Sequence, residues 1–285
     1  MTPNGTPADS DIQGFRMKPP SAPENPPDFN LCTCVLASGS KGNAIYVSDG
    51  STSILVDAGL SGIEIERRMK SKGLYPENLD AVLVSHEHGD HIQGVGVLSR
   101  RFNLPVYMTP KTKTAAAAQL GNIHDFKKFE CGAAFKIENL TIHPFSISHD
   151  ADDPAGFTIS LDGTKIGIAT DLGIATTVVK EHLKGCALLI LEANHDETML
   201  VNGPYPWPLK QRIQSRTGHL SNAASKNLLG AVLHDRLEYV MLAHLSETNN
   251  TPQKAISEVG RALTRNRTKL AVALQDESSA LIHLK

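Results

Sequence analysis

A short apolar run that ends in a cluster of histidines constrains this chain more than any other feature. Residues 81–84 read Ala-Val-Leu-Val and are followed by His86, His88, Asp90 and His91. Histidine and aspartate are costly to bury without partners, so such a cluster at the end of a buried strand indicates a metal site. The spacing offers two imidazoles for one metal and an Asp-His pair for a second metal beside it. The alternative is a solvated polar loop that happens to be rich in histidine.

Three further polar residues follow apolar, strand-like runs. They are His149 after residues 145–148, Asp171 after residues 167–170 and His244 after residues 240–243. Such positions lie at the carboxyl edge of a sheet, where open α/β folds bind their ligands. Each residue alone could be a simple capping or hydrogen-bonded group. Together with the cluster at 86–91, they complete seven candidate ligands for two metal ions.

The order of strand-like and helical segments predicts the fold class. Strands are expected at 31–37, 44–48, 53–57 and 81–84, with helices at 59–73 and 91–101. The second half repeats this alternation, with helices expected at about 174–183, 209–215 and 221–233. Two comparable halves predict an α/β fold with two sheets packed together and helices outside, a four-layer α/β/β/α sandwich. No linker interrupts residues 30–285, which we expect to form one catalytic domain. Residues 1–29 contain seven of the 16 prolines and few large apolar residues, so they are predicted to be a disordered tail.

Charge and cysteine content restrict the compartment and the partners. No apolar run approaches ~18 residues and no basic, apolar leader is visible, so neither a membrane span nor a secretory signal is predicted. Four scattered cysteines without a Cys-x-x-Cys pair predict reduced thiols in a cytoplasmic protein. The net charge of −2 argues against a generally basic nucleic-acid binder. Residues 91–124 and 198–234 nevertheless contain lysine and arginine but no acid, and are either solvated faces or a rim that attracts a polyanion.

These residues together resemble a known superfamily. The segment 55–59 (Leu-Val-Asp-Ala-Gly), the run 86–91, His149, the segment 170–173 (Thr-Asp-Leu-Gly) and His244 resemble the metallo-β-lactamase fold superfamily. Longer strings at 38–43, 191–196, 203–208, 218–222 and 244–250 are similar to those of the WalJ/YycJ group of bacterial hydrolases. The resemblance covers about residues 31–285. The proline-rich first segment is the main departure from it.

The resemblance implies a dinuclear metal centre. His86, His88 and His149 would bind the first ion, Asp90, His91 and His244 would bind the second, and Asp171 would bridge both. Two divalent ions ~3.5–4 Å apart can share a hydroxide and clamp a phosphoryl group. Nitrogen and carboxylate ligands suit Zn²⁺ and also accept Mn²⁺ or Fe²⁺, and we expect Zn or Mn. Asp57 would orient a ligand from behind the metal site, or would simply be a turn residue.

Further residues are candidates for catalysis and substrate binding. Asp90, Glu192 and His219 are the catalytic candidates, because similarity to ribonuclease Z-like members implies that Glu192 and His219 form a proton-donating pair. His219 could instead cap the helix that begins near Ser221. Candidate substrate-binding residues are Ser40 and Asn43, in a turn whose backbone N–H groups could hold phosphate, and His195, which could instead be structural.

The residues themselves indicate a two-metal hydrolase, and the resemblance implies more. It implies a 5′→3′ DNA exonuclease with a role in DNA repair, with RNA as an alternative substrate and the oligomeric state left open. Tyr205 and Trp207 could supply base stacking, or Trp207 could pack a loop. A small-molecule hydrolase acting on β-lactams, lactones or thioesters is the alternative function, since fold does not fix substrate. A non-enzymatic binding module would be expected to lack part of the ligand set.

Overall fold

Fourteen strands and nine α-helices lie in the described part of the chain. The computed structural model describes residues 30–263 and 267–285, so the predicted tail at 1–29 lies outside it. The strands are β1 (Leu31–Ala37), β2 (Ala44–Ser48), β3 (Ser53–Val56), β4 (Ala81–Leu83), β5 (Pro105–Met108), β6 (Asp125–Lys128), β7 (Phe135–Ile137), β8 (Leu140–Ser146), β9 (Ala155–Leu161), β10 (Thr164–Ala169), β11 (Leu188–Glu192), β12 (Tyr239–Ala243), β13 (Lys269–Val272) and β14 (Ile282–Leu284). The α-helices are α1 (Gly62–Ser71), α2 (Gly89–Ile92), α3 (Val95–Phe102), α4 (Pro110–Leu120), α5 (Thr177–Leu183), α6 (Glu197–Asn202), α7 (Trp207–Ile213), α8 (Asn222–Val232) and α9 (Pro252–Val259).

The strands form two seven-stranded sheets. The first sheet has the order β14-β1-β2-β3-β4-β5-β6, and the second has the order β13-β12-β11-β10-β9-β8-β7. The run from β3 to β6 is parallel, as is the run from β10 to β13. Because parallel strands end at the same edge, each sheet delivers several strand ends to one edge of the molecule.

Three apolar clusters show how the sheets and helices are layered. The central cluster joins the inner faces of both sheets, with Val35 and Phe157 among its members. A second cluster packs the outer face of the first sheet against α1, α3 and α4, through residues such as Leu98. A third cluster packs the second sheet against α5, α8 and α9, through residues such as Leu228 and Val259. The predicted four-layer α/β/β/α sandwich is therefore confirmed.

Several predicted boundaries differ from the observed ones for identifiable reasons. The helix expected at 91–101 is divided into α2 and α3, because the Gly94 backbone N–H donates to the Ala58 carbonyl at 2.7 Å instead of to a carbonyl of the helix. Strand β6 was not predicted, since its sequence Asp-Phe-Lys-Lys is that of a polar edge strand. Strand β14 was also missed, because its only support is pairing with β1, far away in the sequence.

All four cysteines are free thiols, and Cys32, Cys34 and Cys186 are buried. Burial raises the pKa of the Cys186 thiol to about 12, so this group is inert at neutral pH. Among the described residues, no helix has the length and apolar character that crossing a membrane requires.

Candidate metal centre and catalytic site

The seven predicted ligands converge where strands of both sheets end. The run 86–91 follows β4, His149 follows β8, Asp171 follows β10 and His244 follows β12. Asp171 and His244 have positive φ angles of 58° and 54°, and Asp57 at the end of β3 has 58°. This conformation is uncommon outside glycine and costs about 1–3 kcal/mol where the surroundings must impose it. Three such residues in one crevice indicate that the backbone is bent to aim these side chains inward.

Gly59 lets the first sheet approach the ligand loop closely. A Cβ on this residue would lie 1.6 Å from the Asp90 carbonyl oxygen, so only glycine fits. The Asn43 backbone N–H donates to that same carbonyl at 2.8 Å, and the Ala58 N–H donates to the His91 carbonyl at 2.8 Å. The Asp-Ala-Gly segment therefore fixes the position of the loop that carries Asp90 and His91.

The first ligand group consists of three imidazole nitrogens. His88 Nδ1 lies 3.1 Å from His86 Nε2 and 3.2 Å from His149 Nε2. A proton between them could join only one pair, whereas a cation would satisfy all three. Tetrahedral zinc with bonds of about 2.0–2.1 Å separates its ligand atoms by ~3.3 Å, close to the observed spacing. These three residues therefore fit one metal ion.

The second ligand group joins the first through Asp171. Asp171 Oδ1 lies 3.3 Å from His244 Nε2, and Asp171 Oδ2 lies 3.4 Å from His91 Nε2. Asp90 Oδ2 lies 3.6 Å from the same nitrogen of His91. His86, His91 and Asp171 offer ligand atoms that all lie within 4.8 Å of one another, as do Asp90, His91 and His244. The two groups are thus contiguous, as a dinuclear centre requires.

Asp57 and Ser85 set the orientation of two ligand histidines. Asp57 Oδ2 lies 2.7 Å from His91 Nδ1, so the imidazole donates its proton there and directs Nε2 into the crevice. The Ser85 hydroxyl donates to Asp57 Oδ2 at 2.7 Å and lies 2.9 Å from His86 Nδ1. A single carboxylate therefore fixes one ligand of each group, one directly and one through a hydroxyl.

The other two buried ligand histidines are oriented by a carbonyl and an amide. His149 Nδ1 lies 3.1 Å from the Thr217 carbonyl oxygen, which accepts its proton and leaves Nε2 facing the first group. His244 Nδ1 lies 3.2 Å from the Asn43 Oδ1 atom, which leaves Nε2 facing Asp171. These contacts present unprotonated nitrogens, the form in which histidine binds metals.

Charge and hydrogen bonding at Asp171 test whether a cation fits here. Its Oδ2 atom is buried and makes no hydrogen bond, even though His91 Nε2 is 3.4 Å away. Burial opposes protonation of His91, but Asp171, Asp57 and Asp90 raise the pKa of His91 well above its ordinary value. Burial would raise the pKa of Asp171, yet His244 and His91 hold it well below the usual range. The carboxylates therefore attract positive charge to this position, and a divalent metal ion fits the donor set.

Glu192 and His219 form a hydrogen-bonded pair beside the two groups. His219 Nδ1 lies 2.7 Å from Glu192 Oε1, and Glu192 Oε2 accepts the backbone N–H groups of Leu172 and Leu220 at 2.9 and 3.1 Å. Burial opposes protonation of His219, but Glu192 and then Asp171 raise the pKa of His219 to about 9. Its side chain is 22% exposed while that of Glu192 is fully buried. Glu192 therefore holds the His219 ring in place, with an accessible edge at the crevice.

The sequence and structure of this chain match known hydrolases. The model of the beta-lactamase superfamily domain matches residues 52–244. Exodeoxyribonuclease YycJ of Bacillus anthracis is 38% identical over 231 residues, which cover 80% of this chain and 88% of the relative. The chain belongs to the beta-lactamase superfamily. Exodeoxyribonuclease WalJ of Streptococcus pneumoniae serotype 2 is 38% identical over 225 residues, covering 78% of this chain and 84% of that protein.

Structural comparison agrees with the superfamily assignment. The crystal structure of the metallo-beta-lactamase fold protein YhfI from Bacillus subtilis has a TM-score of 0.68 at 18% identity, and the match covers 87% of this chain and 99% of that one. The predicted resemblance to the metallo-β-lactamase fold and to the WalJ/YycJ group is therefore confirmed. As a member of this superfamily, the chain is a metal-dependent hydrolase.

The predicted substrate-binding residues of this superfamily member occupy different environments. Ser40 is exposed, whereas Asn43 is buried and its Nδ2 atom donates to Asp90 Oδ2 at 3.2 Å. The backbone N–H groups of the turn at 38–43 are largely engaged, since those of Ser38, Gly39, Lys41, Gly42 and Asn43 all donate to protein acceptors. His195 is buried and its Nδ1 atom has no hydrogen-bond partner. Asn43 thus contacts the ligand residues, and substrate roles for all three stay predictions.

The two basic segments differ in what their cations contact. In residues 91–124, Arg100 donates to the carbonyl groups of Leu120 and Asn122, and Arg101 pairs with Glu66 at 2.6 Å. Lys113 lies 3.9 Å from the centre of the Phe126 ring. These three cations contact groups of the chain itself, whereas Lys111 of the same segment is exposed.

In residues 198–234, one arginine near the site makes no ion pair. Arg212 pairs with Asp150 at 2.6 Å, and Asp150 lies 3.4 Å from the ligand residue His149. Arg216 is exposed and makes no ion pair with any described residue. Sequence analysis did not single out Ser85 or Asp150. The adjacency of each to a ligand, Ser85 before His86 and Asp150 after His149, was the available signal.

Proposed function

We propose that residues 30–285 form one catalytic domain that hydrolyses phosphodiester bonds of DNA from a strand end, using two divalent metal ions. The observation that carries this proposal is the position of Asp171 between the two ligand groups. Its carboxylate oxygens lie 3.4 Å from His91 Nε2 and 3.3 Å from His244 Nε2, and it lies within 4.8 Å of a ligand nitrogen of His86. Identity of 38% to proteins named exodeoxyribonucleases, over more than four fifths of their lengths, supports DNA as the substrate.

The metal ions would be held by the seven ligand residues. The proposed first group is His86, His88 and His149, and the proposed second group is Asp90, His91 and His244, with Asp171 in contact with both. When bound, the ions supply Lewis-acid polarisation of the phosphoryl group. Nitrogen-rich ligands favour Zn²⁺, and the added carboxylates also accept Mn²⁺.

We propose that His219 is the general acid of this reaction. Its Nδ1 atom is engaged by Glu192 at 2.7 Å, so its Nε2–H is the proton available to the departing sugar oxygen. Since its pKa is raised to about 9, mainly by Glu192 acting against burial, the group carries that proton at neutral pH. A positioned acid of this kind contributes about 10²–10⁴-fold to rate. Glu192 thereby holds the ring in place and keeps it charged.

The direction and setting of degradation are also proposals. The resemblance to the WalJ/YycJ group suggests removal of nucleotides in the 5′→3′ direction and a role in DNA repair. A chromosomal DNA substrate would place the protein in the cytoplasm, in agreement with its free cysteines.

The experiment that tests this function is degradation of duplex DNA with 5′-phosphate ends, labelled in one strand at the 3′ end. The wild-type protein with Zn²⁺ or Mn²⁺ is expected to shorten the strand progressively and to retain the label until late. His88→Ala should abolish cleavage, whereas His124→Ala, at an exposed histidine outside the ligand groups, should not change it. Intact DNA together with turnover of a β-lactam, lactone or thioester would move the function to small-molecule hydrolysis.

A further inference from the structure

Helix α7 has no buried residue, although it lies beside the proposed catalytic centre. Helices α6 and α7 and their connector, residues 197–213, form a surface feature that we call the arm. A seven-residue helix is not stable by itself in water and ordinarily depends on an apolar face packed against the core. Lys210 instead donates its ammonium to the Val201 and Gly203 carbonyl oxygens at 2.7 Å each, and Arg212 pairs with Asp150. Leu200 of α6 is buried, but α7 is held mainly by polar contacts, which leaves its apolar side chains at the surface.

The largest of these side chains is Trp207, at the first position of α7. It is 61% exposed, and it makes no hydrogen bond, ring contact or cation–π contact with another described residue. Pro206 and Pro208 flank it and restrict the backbone on both sides. The indole ring is therefore exposed to solvent on a backbone of limited freedom. Such a backbone loses little conformational entropy when the ring stacks on a flat partner.

The other end of α7 contacts the proposed catalytic centre. The Ile213 carbonyl accepts the His219 backbone N–H at 2.9 Å, and Arg212 pairs with Asp150 next to His149. At 1.5 Å per residue, Trp207 lies ~9 Å along the helix axis from Ile213. Trp207 therefore lies at the end of α7 away from the catalytic centre.

Charge distinguishes the two sides of the centre. The arm and the turn after it, residues 197–218, contain Lys210, Arg212 and Arg216 and one acid, Glu197, and Arg212 pairs with Asp150. On the side of His244, a cavity of about 550 Å³ is lined by Ser38 and Leu245 and also by three acids, Glu247, Asp276 and Glu277. A polyanion is repelled on that side and attracted on the side of the arm.

We propose that Trp207 is a stacking platform for an unpaired base of the DNA strand, a few nucleotides from the bond that is cut. This inference rests on the proposed function. The phosphates of that strand would lie along Arg212 and Arg216, and the indole would contact the face of one base. Bases within a duplex are already stacked on both faces, so the strand must be unpaired where it meets the arm. Trp207 would thus select single-stranded or frayed ends.

Trp207 is the only tryptophan in the chain, so its fluorescence reports directly on this contact. The experiment uses full-length His88→Ala protein, which we expect not to cut DNA, and 5′-phosphorylated single-stranded oligonucleotides of eight nucleotides. An adenine oligonucleotide should quench the fluorescence, and the same oligonucleotide with abasic sites at the second to fourth positions should quench it little. Binding is followed in parallel by the anisotropy of a 3′ label.

Substitutions then separate stacking from general affinity. Trp207→Ala should weaken binding of the adenine oligonucleotide roughly 5- to 150-fold, the range found for loss of one base–aromatic stack, whereas Trp207→Phe should retain most of the affinity. Val178→Ala, at an exposed apolar residue of α5, is the matched control and should bind normally. The abasic oligonucleotide should bind more weakly than the adenine oligonucleotide. Its affinity should be the same with and without the Trp207→Ala substitution.

Two outcomes would overturn the inference while leaving the proposed function intact. One is binding seen by anisotropy without any change in tryptophan fluorescence. The other is equal quenching by the adenine and abasic oligonucleotides, with normal affinity in Trp207→Ala. If the wild-type protein neither binds nor cuts DNA, the proposed function fails first and the stacking platform fails with it.

Discussion

The ligand cluster and the arm lie side by side but are stabilised in opposite ways. His86 and His91 are fully buried and Asp171 is 2% exposed, and each contacts other buried side chains. Helix α7 has no buried residue. The ligand side chains must keep fixed distances from one another. They lie in the core, where several neighbours hold each of them in place. The helix proposed to contact the substrate is instead a surface element that a few polar contacts hold in place.

The largest effect is expected from Asp171, because it contacts both ligand groups. Asp171→Asn keeps a side chain that tolerates a positive φ angle but removes the buried negative charge. We expect hydrolysis to fall to the level of chelator-treated wild-type protein and bound metal to fall by at least one ion per chain. Elemental analysis together with the rate on labelled DNA measures both. Normal metal content with normal turnover would show that the two groups are not coupled through this residue.

An intermediate effect is expected from the Glu192–His219 pair, at the border between core and surface. His219→Ala should slow DNA cleavage by about 10²–10⁴-fold without loss of metal, because it removes a proton donor rather than a ligand. Glu192→Gln should slow cleavage less, since the ring remains but loses its anionic partner. Loss of metal from His219→Ala would instead place this histidine in the ligand set. Unchanged rates would remove it from catalysis.

The same pair also predicts a pH dependence of stability in metal-free protein. The pKa of His219 is raised to about 9, mainly by Glu192 acting against burial, so folding favours its protonated form. This contribution is complete below the unfolded value of about 6.5 and is lost as pH rises through 9, and it amounts to at most ~3 kcal/mol. Urea unfolding of wild-type and Glu192→Gln protein between pH 6 and 10 measures it. The stability difference between them should shrink over that interval, and a constant difference would contradict the raised pKa.

Local sequence predicted the ligand cluster well, because four of its members lie within six residues and the others follow apolar strands. The contacts that orient them could not be predicted in the same way. Asn43 meets His244 across 201 positions of sequence, and Asp57 meets Ser85 only because β3 and β4 are neighbours in the sheet. Such contacts are decided by strand pairing and by the conformation at strand ends, neither of which is encoded in a short segment.

The arm was predicted only in part. Its second helix was expected slightly later, at 209–215 rather than Trp207–Ile213, and its first helix was missed. Helix α6 has no apolar periodicity, and its best local signal is the Asp196 side chain, which accepts the Met199 backbone N–H at 2.8 Å. The sequence showed that residues 198–234 lack acids, but the partners of each cation depend on tertiary contacts. Surface elements without buried residues leave little pattern for sequence analysis to detect.

The smallest effect is expected from substituting single cations in the two basic segments. Comparing one such substitution in each segment tests which segment contacts DNA. Arg216 makes no ion pair with a described residue and lies beside the arm, whereas Lys113 is placed over the Phe126 ring. Arg216→Ala should weaken DNA binding a few-fold and reduce the slope of log affinity against log salt by about 1, because one phosphate contact is lost. Lys113→Ala should leave the slope unchanged. Anisotropy titrations at several salt concentrations measure both slopes. Equal slopes for the two variants would mean that the strand does not run along the arm, and would also weaken the case for stacking on Trp207.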